Sequence, residues 1–296
     1  MKILLTGSGG QLGSDLRPML EQAGFDVVAR RSSELDITDG AQVASEVVAL
    51  RPDVIINAAA YTKVDLAEKE RDRAAAVNRT GPALLARAAV DAGAALVHIS
   101  TDFVFDGKKP RPYTETDGTN PLGAYGRTKF LGEREVADII TEHVIVRTSW
   151  LYGLAGPNFL KTILRLAGER ESMRVVYDQT GTPTWTADLA GALVSVVRSI
   201  EEGGAPWGLY HYSSEGVASW YDFAVAIVEE AVEAGFSSRC RRIEPILTAE
   251  YPTPAARPAY SVLDKAKIKK AFGLTIPHWR TGLRGMIKEL YGGSHA

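Results

Sequence analysis

The 296-residue chain contains a single cysteine, Cys240. One thiol excludes an intramolecular disulfide and a thiolate metal cluster, and it suits a chain that works in a reducing cytoplasm. Charge of one sign is not in excess either: 34 Lys and Arg stand against 36 Asp and Glu, a formal net charge of -2. No global field therefore recruits nucleic acid or an anionic membrane, and an anionic ligand has to be met by local charge. Long apolar runs are missing as well. The stretch MKILLTGSGG has only a few apolar residues before its glycines, too few for a signal peptide or a membrane span, and no later stretch reaches spanning length. Tandem repeats and low-complexity tracts are lacking, and the proline-rich YPTPAARP at 251–258 reads as an ordered loop. What remains is a soluble, cytoplasmic globular protein, 45% hydrophobic and 24% charged, long enough for one large domain or two modest ones.

Alternation is the first thing present. Short apolar runs bounded by turn signals occur at 2–6 (KILLT), 25–29 (FDVVA), 53–58 (DVIINA), 95–100 (ALVHIS) and 143–148 (HVIVRT). Helical periodicity fills 10–23, 39–50, 65–92 and 122–138 between them. Buried strands separated by amphipathic helices predict βαβ units and a parallel sheet covered on both faces, a Rossmann-type doubly wound α/β fold. After Arg147 the rhythm changes: most of the aromatics lie there, among them Trp150, Tyr152, Trp185, Trp207, Tyr210, Tyr212, Trp220 and Tyr221. The expected organisation is a dinucleotide-binding domain over 1–147 and a smaller, mixed, mainly substrate-binding region over 148–296, with some segments returning to the sheet. The aromatic shift suggests that this second region is built around a ligand.

Gly7, Gly10 and Gly13, with Gly9 beside them, follow the first strand and open the first helix. Glycines there permit a tight turn, let the backbone approach a pyrophosphate and let the helix pack close to the strand with its N–H groups facing the anion. Gln11 and Leu12, between the last two glycines, are cofactor-binding candidates with them; a merely structural turn is the bland alternative. At the end of the second strand, where an acid would accept from a ribose 2′-hydroxyl, the chain has Ala29, Arg30, Arg31, Ser32 and Ser33. Arg30 and Arg31 suit a 2′-phosphate, which favours NADPH and leaves NADH possible; the alternative is an exposed basic turn. Asp36 and Ile37 are candidates for the adenine border, and Ala58 and Ala59, after Asn57, end the third strand with residues small enough for a cofactor to pass.

Tyr125 and Lys129 stand four apart in a helical segment that begins beside glycines and a proline-bearing loop, so they share a face. Thr101 ends the fourth strand, at the carboxyl edge of the sheet where open α/β proteins bind ligands. A hydroxyl at a strand tip, a phenol and an ammonium one turn beyond are the parts needed to protonate a carbonyl oxygen while hydride arrives at its carbon. A free phenol titrates near pH 10, so a cation beside it is required to make its proton mobile at neutrality.

Gly7, Gly10, Gly13, Thr101 and the Tyr125 and Lys129 pair resemble the extended short-chain dehydrogenase/reductase family. Further strings, among them NAAAYTKVDLAEKE (57–70), STDFVFDG (100–107), RTSWLYG (147–153), DQTGTPTWTADLA (178–190) and RPAYSVLD (257–264), resemble those members that act on dTDP-linked keto sugars. The resemblance implies reduction by NADPH of the 4-keto group of dTDP-4-dehydro-6-deoxy-L-mannose. It implies Tyr125 as proton donor, Lys129 as the cation that lowers the phenol and holds the nicotinamide ribose, and Thr101 as the group orienting the keto oxygen. Asp102, Phe103 and Trp150 would border the sugar, and Arg257 with its loop would meet the diphosphate or base. Trp150 as a core residue is the alternative there, and Asn78 is either a supporting polar group or a helix-surface asparagine.

The chain departs from the family at two places. Phe103 stands where members often carry tyrosine, which removes one hydroxyl. Some members are dimers bridged by a divalent metal through carboxylates; Asp15 stands at one such place with a shorter side chain, so no metal is expected and a homodimer is left open. A 4-epimerase or 4,6-dehydratase of the same fold, or a non-enzymatic regulatory subunit, are the rival readings. Dehydratases follow the Thr-Asp pair with glutamate, which Phe103 is not.

Overall fold

The computed structural model describes residues 1–292. Strands β1 (Lys2–Thr6), β2 (Asp26–Arg30), β3 (Val54–Asn57), β4 (Ala95–Thr101) and β5 (His143–Thr148) pair in parallel with a sixth, Gly208–His211, in the spatial order β2, β1, β3, β4, β5, Gly208–His211. The chain runs outward from β1 in both directions, so the order reverses between β1 and β3 and a crevice opens there at the carboxyl ends. Every residue of β3 and β4 is buried, as a strand with helices on both faces must be.

Helices α1 (Gln11–Gln22) and α8 (Thr186–Glu201) cover one face through Leu12, Leu16, Leu20, Leu189, Leu193 and Val197. The other face carries α2 (Gly40–Leu50), α5 (Gly81–Ala92) and α6 (Ala124–Ile139), packed through residues such as Val43, Leu85 and Val136. The sixth strand and α8 come from beyond Thr148, so the sheet is completed by the C-terminal half of the chain. That second half also holds its own core. Phe223 and Ile227 of α9 (Trp220–Glu233), Leu160 and Ile163 of α7 (Phe159–Glu169) and Leu283 and Met286 of the helix Trp279–Tyr291 pack together there. Its small sheets are mixed, Ser172–Val176 running parallel to Arg242–Ile246 and Thr180–Gly181 antiparallel to Ala218–Ser219.

The expected single helix over 65–92 is broken. It consists of α3 (Val64–Ala67), α4 (Arg71–Ala75), a π-helical turn over Ala76–Thr80, and α5. Pro82 has no N–H to return to the carbonyl of Asn78 four residues earlier, which locally disrupts the α-helical ladder. A Cβ on Gly132 of α6 would come 2.1 Å from that same carbonyl, so α6 packs directly against the irregular turn. The aromatic cluster after Arg147 also divides. Tyr210 and Tyr212 are buried in the core of the main sheet and Tyr152 in the second core, so much of that signal is packing and not ligand.

Candidate active site

The glycine loop lies at the crevice. Gly7 has φ 70°, and a Cβ there would come 2.5 Å from Ala59 N and 2.6 Å from Ala58 C, so the turn presses on the end of β3 with no space for a side chain. A Cβ on Gly13 would meet Gly7 O at 2.4 Å, which fixes how closely α1 abuts the turn. Gly10 is the N-cap of α1, no side chain caps that helix, and its first turn contains no acid. Its leading N–H groups are therefore available to an anion, and the helix dipole favours one. This donor set, a narrow glycine turn and an uncapped helix start, fits the pyrophosphate of a dinucleotide. Leu12 is buried beneath the turn, and Gln11 Oε1 accepts from Asn158 Nδ2 at 3.0 Å, which ties the loop to the second half.

The two arginines part company. Arg30 donates through Nε to Glu46 Oε1 at 2.7 Å, which draws its guanidinium toward α2. The Arg31 side chain instead runs along the glycine loop, its Cγ and Cδ 3.4 and 3.5 Å from where a Cβ on Gly9 would stand. Ile37 is 4% exposed and its side chain packs against Gly81. The exposed Asp36 spends Oδ1 on the backbone and hydroxyl of Thr38.

At the carboxyl end of β4, Thr101 Oγ1 accepts from Phe103 N and donates to Asp102 Oδ1 at 3.1 Å. Asp102 is 2% exposed, and its Oδ2 has no partner among the described residues. Burial raises that carboxyl to about 6. Tyr125, at the start of α6, meets Phe103 edge-on with ring centroids 5.5 Å apart. A Cβ on Gly126 would fall 2.1 Å from Phe103 O, so glycine lets the helix start close against the Thr101–Phe103 turn. Burial pushes the phenol up to about 12, and the charge of Asp102 adds to it.

Lys129 does share the helix with Tyr125 but not the expected contact. It is 1% exposed, and its Nζ donates to Ile99 O at 2.6 Å and lies 3.4 Å from His98 Nε2, both on β4. Burial lowers the amine to about 8, with Glu133 opposing. Asn78 is buried and not on a helix surface: it accepts from Tyr61 N at 2.8 Å and donates to Tyr61 O and to Thr128 Oγ1. It thereby joins the segment after β3 to the catalytic helix candidate.

Trp150 follows β5 with φ 48°, a left-handed conformation rare for a bulky residue. Its indole stacks on Trp220 at 3.5 Å and 4°, and Gly181 has no room for a Cβ beside it. Arg257 binds Asp65 with both nitrogens, at 3.1 and 2.8 Å, and reaches Thr253 Oγ1 and Ala255 O, so its guanidinium forms a clasp between the loop at 251–258 and α3. The hydroxyl of Thr186 in α8 donates to the Asp15 carboxylate, another link across the halves. Sequence reasoning did not single out Asp65 or His98 and named Trp220 only among the aromatics of the second region; their contacts with Arg257, Lys129 and Trp150 come from the pairing of distant segments. No helix among the described residues is long and apolar enough to cross a membrane.

A family model described as RmlD substrate binding domain matches residues 1–291. A dTDP-4-dehydrorhamnose reductase of Aggregatibacter actinomycetemcomitans is 45% identical over 287 residues, 96% of this chain and 98% of the relative. The solved structure of a dTDP-4-dehydrorhamnose reductase from Clostridium acetobutylicum superposes with a TM-score of 0.91 at 41% identity, covering 98% of this chain and 99% of that one. One from Bacillus anthracis, solved in complex with NADP, gives 0.90 at 40% identity over 97% and 99%. Such likeness over almost the full length of each chain goes well beyond a shared sheet topology, and on it the chain belongs to the dTDP-4-dehydrorhamnose reductase family.

Proposed function

We propose that the protein uses NADPH to reduce the 4-keto group of dTDP-4-dehydro-6-deoxy-L-mannose, giving dTDP-L-rhamnose. The observation that carries this reading is the placement of Thr101, Asp102 and Tyr125 together at the carboxyl end of β4, across the sheet crevice from the glycine loop at the end of β1. Residues 1–147 would serve mainly the cofactor and the later residues mainly the sugar nucleotide, with the strand Gly208–His211 and α8 belonging structurally to the former.

The cofactor, when bound, supplies the hydride that reaches the carbonyl carbon. Tyr125 gives its proton to the oxygen as negative charge develops there, and Thr101 holds that oxygen by a hydrogen bond; both act on charge that exists only in the transition state. A phenol held near 12 keeps its proton until that charge appears. Lys129 supplies the positive charge that makes the tyrosinate tolerable, which requires its Nζ to leave the Ile99 carbonyl and turn toward Tyr125 by side-chain rotation. Asp102 Oδ2 accepts from a sugar hydroxyl, while Phe103 and Trp150 provide apolar walls. Arg31 holds the 2′-phosphate. Arg257 acts through its clasp with Asp65 by ordering the loop at 251–258 over the site.

The test is NADPH oxidation with dTDP-4-dehydrorhamnose and identification of the product sugar. Stoichiometric NADPH loss with formation of dTDP-L-rhamnose is the expected result. Conversion of a sugar nucleotide with no NADPH loss would point to the 4-epimerase reading, and no conversion of any keto sugar nucleotide to a regulatory subunit.

A further inference from the structure

Lys129 is the end of a buried chain of polar side chains that crosses the sheet. Thr6 Oγ1 donates to Asn57 Oδ1 at 2.9 Å, Asn57 Nδ2 meets His98 Nδ1 at 3.1 Å, and His98 Nε2 lies 3.4 Å from Lys129 Nζ. Asn57 and His98 are both fully buried.

One backbone group fixes the direction of these bonds. Ala59 N–H donates to Asn57 Oδ1 at 3.1 Å. A backbone N–H can only donate, so the atom it meets is the amide oxygen and the atom facing His98 is the amide nitrogen, a donor. His98 Nδ1 is then an acceptor, and a neutral imidazole must carry its hydrogen on Nε2. Burial, with Lys129 and His143 adding to it, lowers the imidazole well below its ordinary value, so it is neutral near pH 7. Its Nε2–H therefore points at the Lys129 amine. An ammonium there would oppose donor to donor. A neutral amine accepts from Nε2–H through its lone pair and still donates to Ile99 O.

The other groups around the pair leave this balance in place. Glu133 of α6 favours the charged amine, but its two oxygens are held by Arg147 at 2.8 and 2.6 Å and one of them also by Ser100. His143 at the start of β5 adds no negative charge, and the side chains that β1 and β3 place in this chain of bonds, Thr6 and Asn57, are neutral.

We propose that His98, fixed by Asn57 as the Nε2–H tautomer, is a positioning residue for Lys129: its N–H faces the amine nitrogen, which disfavours the ammonium in the resting site and lowers the pH at which the amine takes up its proton. The catalytic consequence rests on the reduction proposed above, whereas the tautomer and the protonation of Lys129 do not. Turning from β4 toward the phenol takes the ammonium away from that N–H, which couples the arrival of positive charge at Tyr125 to the occupied site.

The experiment is nuclear magnetic resonance of the full-length protein without cofactor or substrate. Long-range proton–nitrogen spectra of histidine-labelled protein, with His98 assigned by its loss in His98→Gln, should show the Nε2–H pattern unchanged between about pH 6 and 8. Titration of the Lys129 ε-carbon, assigned by its loss in Lys129→Met, gives the second readout. Asn57→Asp places an acceptor opposite Nδ1 and should convert His98 to the Nδ1–H form. Its Nε2 then accepts from the ammonium, and the Lys129 midpoint should rise by about one pH unit. His98→Gln removes the opposing N–H without adding a carboxylate and should raise the midpoint in the same direction. Wild-type His98 found as Nδ1–H or as imidazolium near neutrality overturns the assignment. An unchanged Lys129 midpoint in His98→Gln overturns the link to Lys129, and this variant decides alone if Asn57→Asp does not fold. Because neither readout uses turnover, a failure of the reductase reading would be recognised separately, by the absence of NADPH oxidation.

Discussion

The rings of Phe103 and Tyr125 meet edge to face, 5.5 Å between centroids and 75° between planes. The contact involves the ring of Tyr125 and not its hydroxyl, so packing and chemistry can be separated by one substitution. Tyr125→Phe keeps the edge contact, and folding and NADPH affinity should be preserved while kcat falls by about 10² or more, the usual scale for a general acid. Circular dichroism melts, cofactor titration and steady-state turnover check this together. Near-normal turnover would show the proton comes from elsewhere.

Lys129→Met should behave differently, lowering kcat and loosening NADPH together. It also carries a signature in stability. The buried amine sits near 8, below its ordinary 10.5, so between those values the unfolded chain holds more protons and wild-type stability gains from rising pH. Below about pH 8 the ammonium is buried at a cost that methionine does not have. The Tm of Lys129→Met relative to wild type should therefore be higher at pH 7 than at pH 10.5. A difference independent of pH would contradict the burial of a titrating amine.

Arg30 and Arg31 should separate cleanly in cofactor kinetics. Arg31→Ala should raise KM for NADPH far more than for NADH, because a charge-assisted contact to the 2′-phosphate is lost only where that phosphate exists. Arg30→Ala breaks a partly exposed pair with Glu46 and should treat both cofactors alike, with a stability loss of about 0.2–1 kcal/mol by chemical denaturation. Equal effects of Arg31→Ala on the two cofactors would remove it from the phosphate site.

Trp150→Ala should raise KM for the sugar nucleotide and leave the NADPH dissociation constant near its wild-type value, since the indole stacks on Trp220 in the second half of the chain. Isothermal titration with cofactor and kinetics with substrate give the two numbers. A comparable loss of cofactor binding, or an unfolded variant, would mark Trp150 as a core residue instead.

Arg257→Ala and Asp65→Ala should each raise KM for the sugar nucleotide, and the double variant should be little worse than either single one, because one two-point contact is removed in all three cases. Additive losses would mean that Arg257 touches substrate independently of Asp65.

What is local follows from the residues in order. The β1 turn, the α1 start and the Tyr125 and Lys129 spacing were legible because glycine conformation and helical periodicity depend on residues a few positions apart. The five parallel strands were legible for the same reason, as short apolar runs between amphipathic helices. Tertiary structure decided whatever depends on a distant partner. Arg30 meets Glu46 in α2, Arg257 meets Asp65 some 192 positions away, and Lys129 meets a β4 carbonyl 30 positions back. The sixth strand, Gly208–His211, has too short an apolar run to announce itself and becomes a strand because β5 offers it an open edge. A long charged side chain bonds to whichever opposite group folding brings within about 3 Å, and no local pattern encodes that meeting.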